Sequence, residues 1–237
     1  MPKIVAISQS GYLPWKGYFD IISRVDEYII LDEVQYPKET FCNRNHIKTP
    51  EGLQYLTVPV VTKGRAEQKI SEAQVADAKW AHKHWSTIQN NYARSEFFGL
   101  YKDRFAEVYD KAAALQNLSA INESFLRLLC GILGINTKLT QSSEYELAEG
   151  KNEKVVGLLK QSGAGIYLAR PGSREYMQAA PALYEGIKIV YMDYAGYPEY
   201  KQQNGEFVHN LSVIDLIFNM GPESPKYLNS RFKLAVE

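Results

Sequence analysis

With 237 residues, 45% of them hydrophobic, the chain is long enough to bury a sizeable core without disulfide staples. Lys plus Arg and Asp plus Glu both total 27, which leaves no global field to draw the protein onto nucleic acid or an anionic membrane. No apolar run approaches the roughly 18 residues that cross a bilayer, and Met1-Pro2-Lys3-Ile4-Val5-Ala6-Ile7 reads as a strand, not a signal peptide, so a cytoplasmic protein is expected.

From the N-terminus the pattern predicts a strand over 3–8, a polar loop, a short helix over 17–24 and a strand over 27–32. A long loop leads to a strand over 54–60, which makes the first third a βαβ opening. Trp80, His84, Ile88 and Tyr92 then recur near a four-residue spacing, and Leu118, Ile121, Phe125, Leu128, Leu129 and Ile132 form an apolar stripe, predicting helices over 77–94, 97–114 and 117–133. Alternation resumes with a strand over 137–140, a helix over 152–161 closed by Gly163, strands over 165–169 and 187–192, and a helix over 211–220 capped by Ser212 and stopped by Gly221-Pro222. The expected fold is α/β: a Rossmann-like, mostly parallel sheet with an inserted or appended helical layer.

In such a sheet ligands collect beyond the carboxyl ends of strands, where the strand order reverses. The loop Gln9-Ser10-Gly11-Tyr12-Leu13-Pro14-Trp15-Lys16-Gly17 follows the first strand, with Gly17 at a helix N-terminus that could hold a phosphate. Trp15-Lys16-Gly17-Tyr18 has the spacing of the H-x-G-H signature of nucleotidyltransferases. Both histidines are aromatic here, which removes the donors that chemistry needs. The second strand delivers Asp32, Glu33, Gln35, Tyr36 and Lys38, followed by Asn43-Arg44-Asn45, in which Arg44 suits a carboxylate or phosphate.

Lys83, His84 and Trp85 join Trp80 in a mixed basic and aromatic helix segment, with His84 a candidate acid or base. His82 and His84 diverge by roughly 200° around a helix and cannot easily share a metal, and no metal-ligating set is assigned. Cys42 and His46 would form a thiolate dyad only if paired in space, and Cys130 lies in an apolar helix, so no disulfide is indicated. Arg170 and Arg174 flank Pro171-Gly172-Ser173 in a loop suited to an anion. The 17 tyrosines, many in polar loops, suggest a binding surface.

Together these segments resemble the WbqC-like family of bacterial proteins, over nearly the whole chain. The resemblance rests on Gln9 with Tyr12-Leu13-Pro14-Trp15 and Gly17-Tyr18-Phe19-Asp20, and on Leu31-Asp32-Glu33-Val34-Gln35-Tyr36-Pro37-Lys38 with Asn43-Arg44-Asn45. It continues through Leu56 to Val60, Trp80, Lys83-His84-Trp85, Gly163 to Tyr167, and Leu211 to Leu216; Ser10 departs from the proline usual after the first glutamine. One domain is expected, with an α/β core over 1–76 and 134–237 and a helical region over 77–133.

The resemblance implies an enzyme of O-antigen or related surface polysaccharide biosynthesis, transferring an acyl or aminoacyl group to the amine of a nucleotide-linked amino sugar. The expected partners are that sugar and a donor, with nucleic acid entering only as an aminoacyl-tRNA; no cofactor is specified. Asp32, then His84, are the expected bases, with Lys38 beside them. Gln9, Tyr12, Trp15, Gly17, Gln35, Tyr36, Asn43, Arg44, Asn45, Lys83, Trp85, Arg170 and Arg174 are the expected substrate-binding set. A nucleotidyltransferase and a non-catalytic sugar-nucleotide-binding protein are the rival readings.

Overall fold

The computed structural model describes residues 1–230 and 232, with the side chain of Tyr176 left aside; the expected core segment therefore ends partly outside the described residues. Five parallel strands form one sheet: β1 (Ile4–Ser8), β2 (Glu27–Ile30), β5 (Lys138–Gln141), β6 (Ile166–Ala169) and β7 (Lys188–Tyr191), in the order β5-β2-β1-β6-β7. The chain builds outward from β1 through β2 to β5, then crosses to the other side of β1 for β6 and β7. The strand order therefore reverses between β1 and β6, as in a Rossmann-like sheet.

The central strands are continuous apolar runs because both of their faces are covered. Ala6, Tyr28, Ile30 and Leu168 project into one apolar cluster, while their neighbours Val5, Ile7, Ile29 and Tyr167 project into a second on the opposite face. The first face packs on α1 (Lys16–Ser23), α7 (Val213–Met220) and the helical layer of α2 (Trp80–Tyr92), α3 (Phe98–Ala113) and α4 (Leu118–Ile132). The second face is covered by α5 (Lys151–Gln161), through Val155, Val156, Leu158 and Leu159, and by Met177 of the short α6 (Arg174–Gln178).

The spacing of Trp80, His84, Ile88 and Tyr92 is the buried face of α2, and Asn117 caps α4 by accepting the Ala120 N–H at 3.0 Å. The strand expected over 54–60 is present over Gly52–Thr57, but the long loop expected before it needs correction. Residues of that stretch form an antiparallel hairpin, β3 (Arg44–Thr49) with β4 (Gly52–Thr57), as a separate two-stranded sheet that does not join the parallel one.

Candidate functional site

The first loop leaves β1 at Ser8 and is pinned from several directions. The Ser10 N–H donates to the Asp32 carboxylate at 2.8 Å, the Tyr12 N–H donates to the Phe41 carbonyl at 3.0 Å, and the Asn45 side chain donates to the Leu13 carbonyl at 2.7 Å. Leu13 carries φ of 44°, a left-handed conformation that a leucine holds only when its surroundings fix it. Asn122 of α4 completes the clamp, donating to the Ser10 hydroxyl at 2.9 Å and the Cys42 carbonyl at 2.8 Å. The loop ends at Trp15, whose indole lies on Gly17 so closely that a Cβ there would stand 2.3 Å from the ring. Gly17→Ala is accordingly expected to displace the indole and destabilise the fold by about 2 kcal/mol, read by urea unfolding and tryptophan emission.

Two recesses open at the carboxyl ends of β1 and β6, where the strand order reverses. The larger, about 1130 Å³, is lined by Ser8, Gln9 and Trp15 from the first loop, by Glu33 and Gln35 after β2, and by Glu67 and Lys69. Gly150, Lys151 and Lys154 at the start of α5 and Arg170 to Ser173 after β6 close it, with Tyr194. The smaller, about 570 Å³, lies on the other side of Gln9, Trp15 and Arg170, which line both. Arg170 spans the reversal, donating to the Ser8 hydroxyl at 2.7 Å. The Trp15 and Tyr194 rings meet edge to face at 5.2 Å.

Charges of both signs line the larger recess. Lys69 pairs with Glu33 at 3.0 Å, and the Lys154 ammonium donates to the Glu33 carbonyl at 2.9 Å. Partial burial pushes the Glu33 carboxyl up, but hydrogen bonds from Lys69 and Ser71 and the nearby ammonium charges outweigh it and hold it below its ordinary range.

Of the residues expected from sequence, Gln9, Trp15, Gln35 and Arg170 line the larger recess, and Asn45 lines the smaller with Gln9, Trp15 and Arg170. The others lie elsewhere. Asp32 is 2% exposed, with its oxygens engaged by Ser10 and by the Ser119 hydroxyl, so it braces the loop and faces neither recess. Tyr12 and His84 are core residues: the Tyr12 hydroxyl meets His84 Nδ1 at 2.9 Å and Tyr109 at 2.7 Å, and burial pulls the imidazole down to about 4. Trp85 stacks on Phe105 and Tyr109, and the exposed Lys83 stands 3.7 Å from Asp77. Tyr36 is buried in the core, and Asn43 is buried with its amide donating to the Val58 carbonyl. Arg44 lies over the Tyr55 ring at 4.8 Å and near Glu39, Arg174 lies over Tyr191 at 4.3 Å, and Lys38 is exposed; none of the three lines a recess. Gly17 is covered by the Trp15 indole instead of being open to a phosphate.

The thiol of Cys42 donates to Gln9 Oε1 at 3.7 Å, and burial pushes it up to about 11, so it is no thiolate partner for His46. Lys16, the second residue of the H-x-G-H-like stretch, is 2% exposed and turned away from the recesses. Its ammonium sits about equally over the rings of Tyr197, Tyr200 and Phe207, at 5.0, 5.4 and 5.3 Å. Burial in that cage pulls it down to about 8 against the nearby Asp215 and Glu199 carboxylates. Sequence reasoning singled out the Glu33 carboxylate on the second loop without placing it in the binding set, and missed Lys16, and Lys69 and Lys154 as lining groups. For Lys154 a signal existed: it stands one turn into a helix that opens after Gly150, at a strand-to-helix junction.

The parallel sheet with a polar cleft at its order reversal defines a Rossmann-like α/β protein. The profile of the WbqC-like protein family matches residues 9–227, and the chain belongs to that family, whose membership suggests an association with polysaccharide biosynthesis. It is 44% identical over 226 residues to "Uncharacterized protein Rv1507c" of Mycobacterium tuberculosis (strain ATCC 25618 / H37Rv), an alignment that covers 95% of this chain and 97% of that protein. No solved structure matches the chain. Among the described residues no helix is long and apolar enough to cross a membrane.

Proposed function

We propose that the protein binds a nucleotide-linked amino sugar in the larger recess and transfers an acyl or aminoacyl group to its amine, in the biosynthesis of a bacterial surface polysaccharide. The observation that carries this reading is the pairing of charges within one cleft at the strand-order reversal. Arg170, Lys151 and Lys154 suit a diphosphate, whereas Glu33 and Glu67 suit an ammonium, and a nucleotide-linked amino sugar carries both. Trp15 and Tyr194 offer an aromatic wall to its base or sugar ring. The roles first expected of Asp32 and His84 pass to the lining carboxylates, since both of those side chains are enclosed.

Calorimetric titration with UDP- and dTDP-linked amino sugars tests the binding. Incubation with acyl thioester, acyl phosphate and aminoacyl-tRNA donors, read by mass shift, tests the transfer. Arg170→Ala is expected to weaken sugar-nucleotide binding by at least about tenfold, the loss of one charge-assisted contact. Its melting temperature should fall far less than that of a core variant. Tight binding with no mass shift under any donor would leave a sugar-nucleotide-binding protein without transferase activity, and absence of binding would remove the reading.

A further inference from the structure

The smaller recess differs from the larger in its charge. Pro14, Trp15, Pro37 and Phe41 supply apolar walls, Asn210 stands at the rim, and among the described residues that line it Arg170 is the one charged side chain. The buried Asp32 carboxylate behind it is already engaged by Ser10 and Ser119. An α-ammonium placed there would face a guanidinium and no carboxylate, which disfavours a cation. Where the two recesses meet, the Gln9 amide oxygen accepts from the Cys42 thiol at 3.7 Å, and its amide nitrogen has no hydrogen-bond partner among the described residues. Arg170 adds guanidinium N–H groups at the same wall.

We propose that this smaller recess is the donor subsite, holding an uncharged acyl chain and not an aminoacyl group, with Gln9 and Arg170 as donors to the acyl carbonyl oxygen. The inference rests on the sugar-transfer reading above and names its donor class, an activated acyl compound such as a thioester. A lining carboxylate of the larger recess takes one proton from the bound ammonium, and the neutral amine so formed attacks the acyl carbon through the shared wall, forming the C–N bond as the carbonyl electron pair moves onto oxygen. Gln9 and Arg170 stabilise that oxyanion. Its collapse restores the carbonyl and breaks the bond to the leaving group, which departs with the electron pair and takes the proton released by nitrogen.

The test is ligand-observed NMR with butyryl-pantetheine and glycyl-pantetheine, on the wild type and on Asn210→Trp, which fills the recess from an exposed rim position outside the larger one. Butyryl-pantetheine is expected to bind at least about tenfold tighter than the glycyl compound, and Asn210→Trp to remove that binding while UDP-amino sugar affinity stays within about twofold. Equal or tighter binding of the glycyl compound, or butyryl binding unmoved by Asn210→Trp, overturns the subsite. If butyryl-pantetheine binds as expected and no sugar is modified, the transfer reading fails while the subsite stands. If the sugar is modified by a glycyl donor and no butyryl compound binds, the reverse holds.

Discussion

Asp32→Ala is expected to cost about 3 kcal/mol of stability, whereas Asp32→Asn retains the fold and sugar-nucleotide binding within a factor of about three. The carboxylate sits at 2% exposure and receives a backbone N–H from Ser10 at 2.8 Å and the Ser119 hydroxyl. Truncation strands both donors in a dry site, and each stranded donor costs about 1–3 kcal/mol. It also releases the loop on which Leu13 holds a positive φ and from which Gln9 and Trp15 reach the cleft. Asparagine keeps an oxygen for the Ser10 N–H and can offer its amide to the Ser119 oxygen. The pair of variants separates two roles that a single deletion would confuse. A proton acceptor would lose its turnover in Asp32→Asn with stability intact. A brace loses stability in Asp32→Ala and little else in Asp32→Asn. Urea unfolding together with donor-dependent mass shift reads both.

The distinction between brace and ligand was the part of the site hardest to read from sequence. Strand existence was legible because β1, β2 and β6 are enclosed on both faces and so appear as unbroken apolar runs. That Gln9, Trp15 and Arg170 line the recesses follows from their place after strand ends at the order reversal, where geometry alone points side chains at a cleft. Tyr12, Asp32, Tyr36 and Asn43 look the same in sequence, polar or aromatic groups in post-strand loops, yet all four turn inward.

The hairpin was hidden for a related reason. Arg44-Asn45-His46-Ile47-Lys48-Thr49 is too polar to read as a strand, because its polar residues are satisfied by remote partners: Asn45 by the Leu13 carbonyl, Lys48 by Gln202 and by the carbonyls of Gly205 and Glu206. Its one local signal was the turn Thr49-Pro50-Glu51-Gly52, in which Gly52 takes φ of 115°. Lys16 was hidden in the same way, since the rings that cage it come from Tyr197, Tyr200 and Phe207, far along the chain.

Acid should weaken the protein through His84 before it reaches most carboxylates. The imidazole is 8% exposed, bonded to the Tyr12 hydroxyl at 2.9 Å and packed against Trp80 at 5.3 Å between ring centres. Burial in this apolar setting, with a smaller contribution from the Lys83 charge, outweighs the backbone hydrogen bond at Thr57 and pulls it from 6.5 to about 4. Between those values the unfolded chain binds a proton that the folded one refuses, so stability rises with pH there. The contribution is complete above pH 6.5 and is lost progressively as pH falls toward 4. Its size is about 3 kcal/mol, from the shift at about 1.4 kcal/mol per unit.

Glu27 continues the decline at lower pH. Burial pushes its carboxyl up, but the bonds from Lys3, Tyr145, Lys138 and Thr140 together outweigh that and bring it from 4.5 down to about 2. Its stabilisation therefore persists above pH 4.5 and disappears toward pH 2. Two windows should appear in urea unfolding followed against pH, and His84→Gln should reduce the slope of the upper window, part of which belongs to His46, also pulled down by burial, while leaving the lower one. A slope between pH 6.5 and 4 that is unchanged by His84→Gln would show that the proton is taken up elsewhere, and would remove His84 from the account of acid sensitivity.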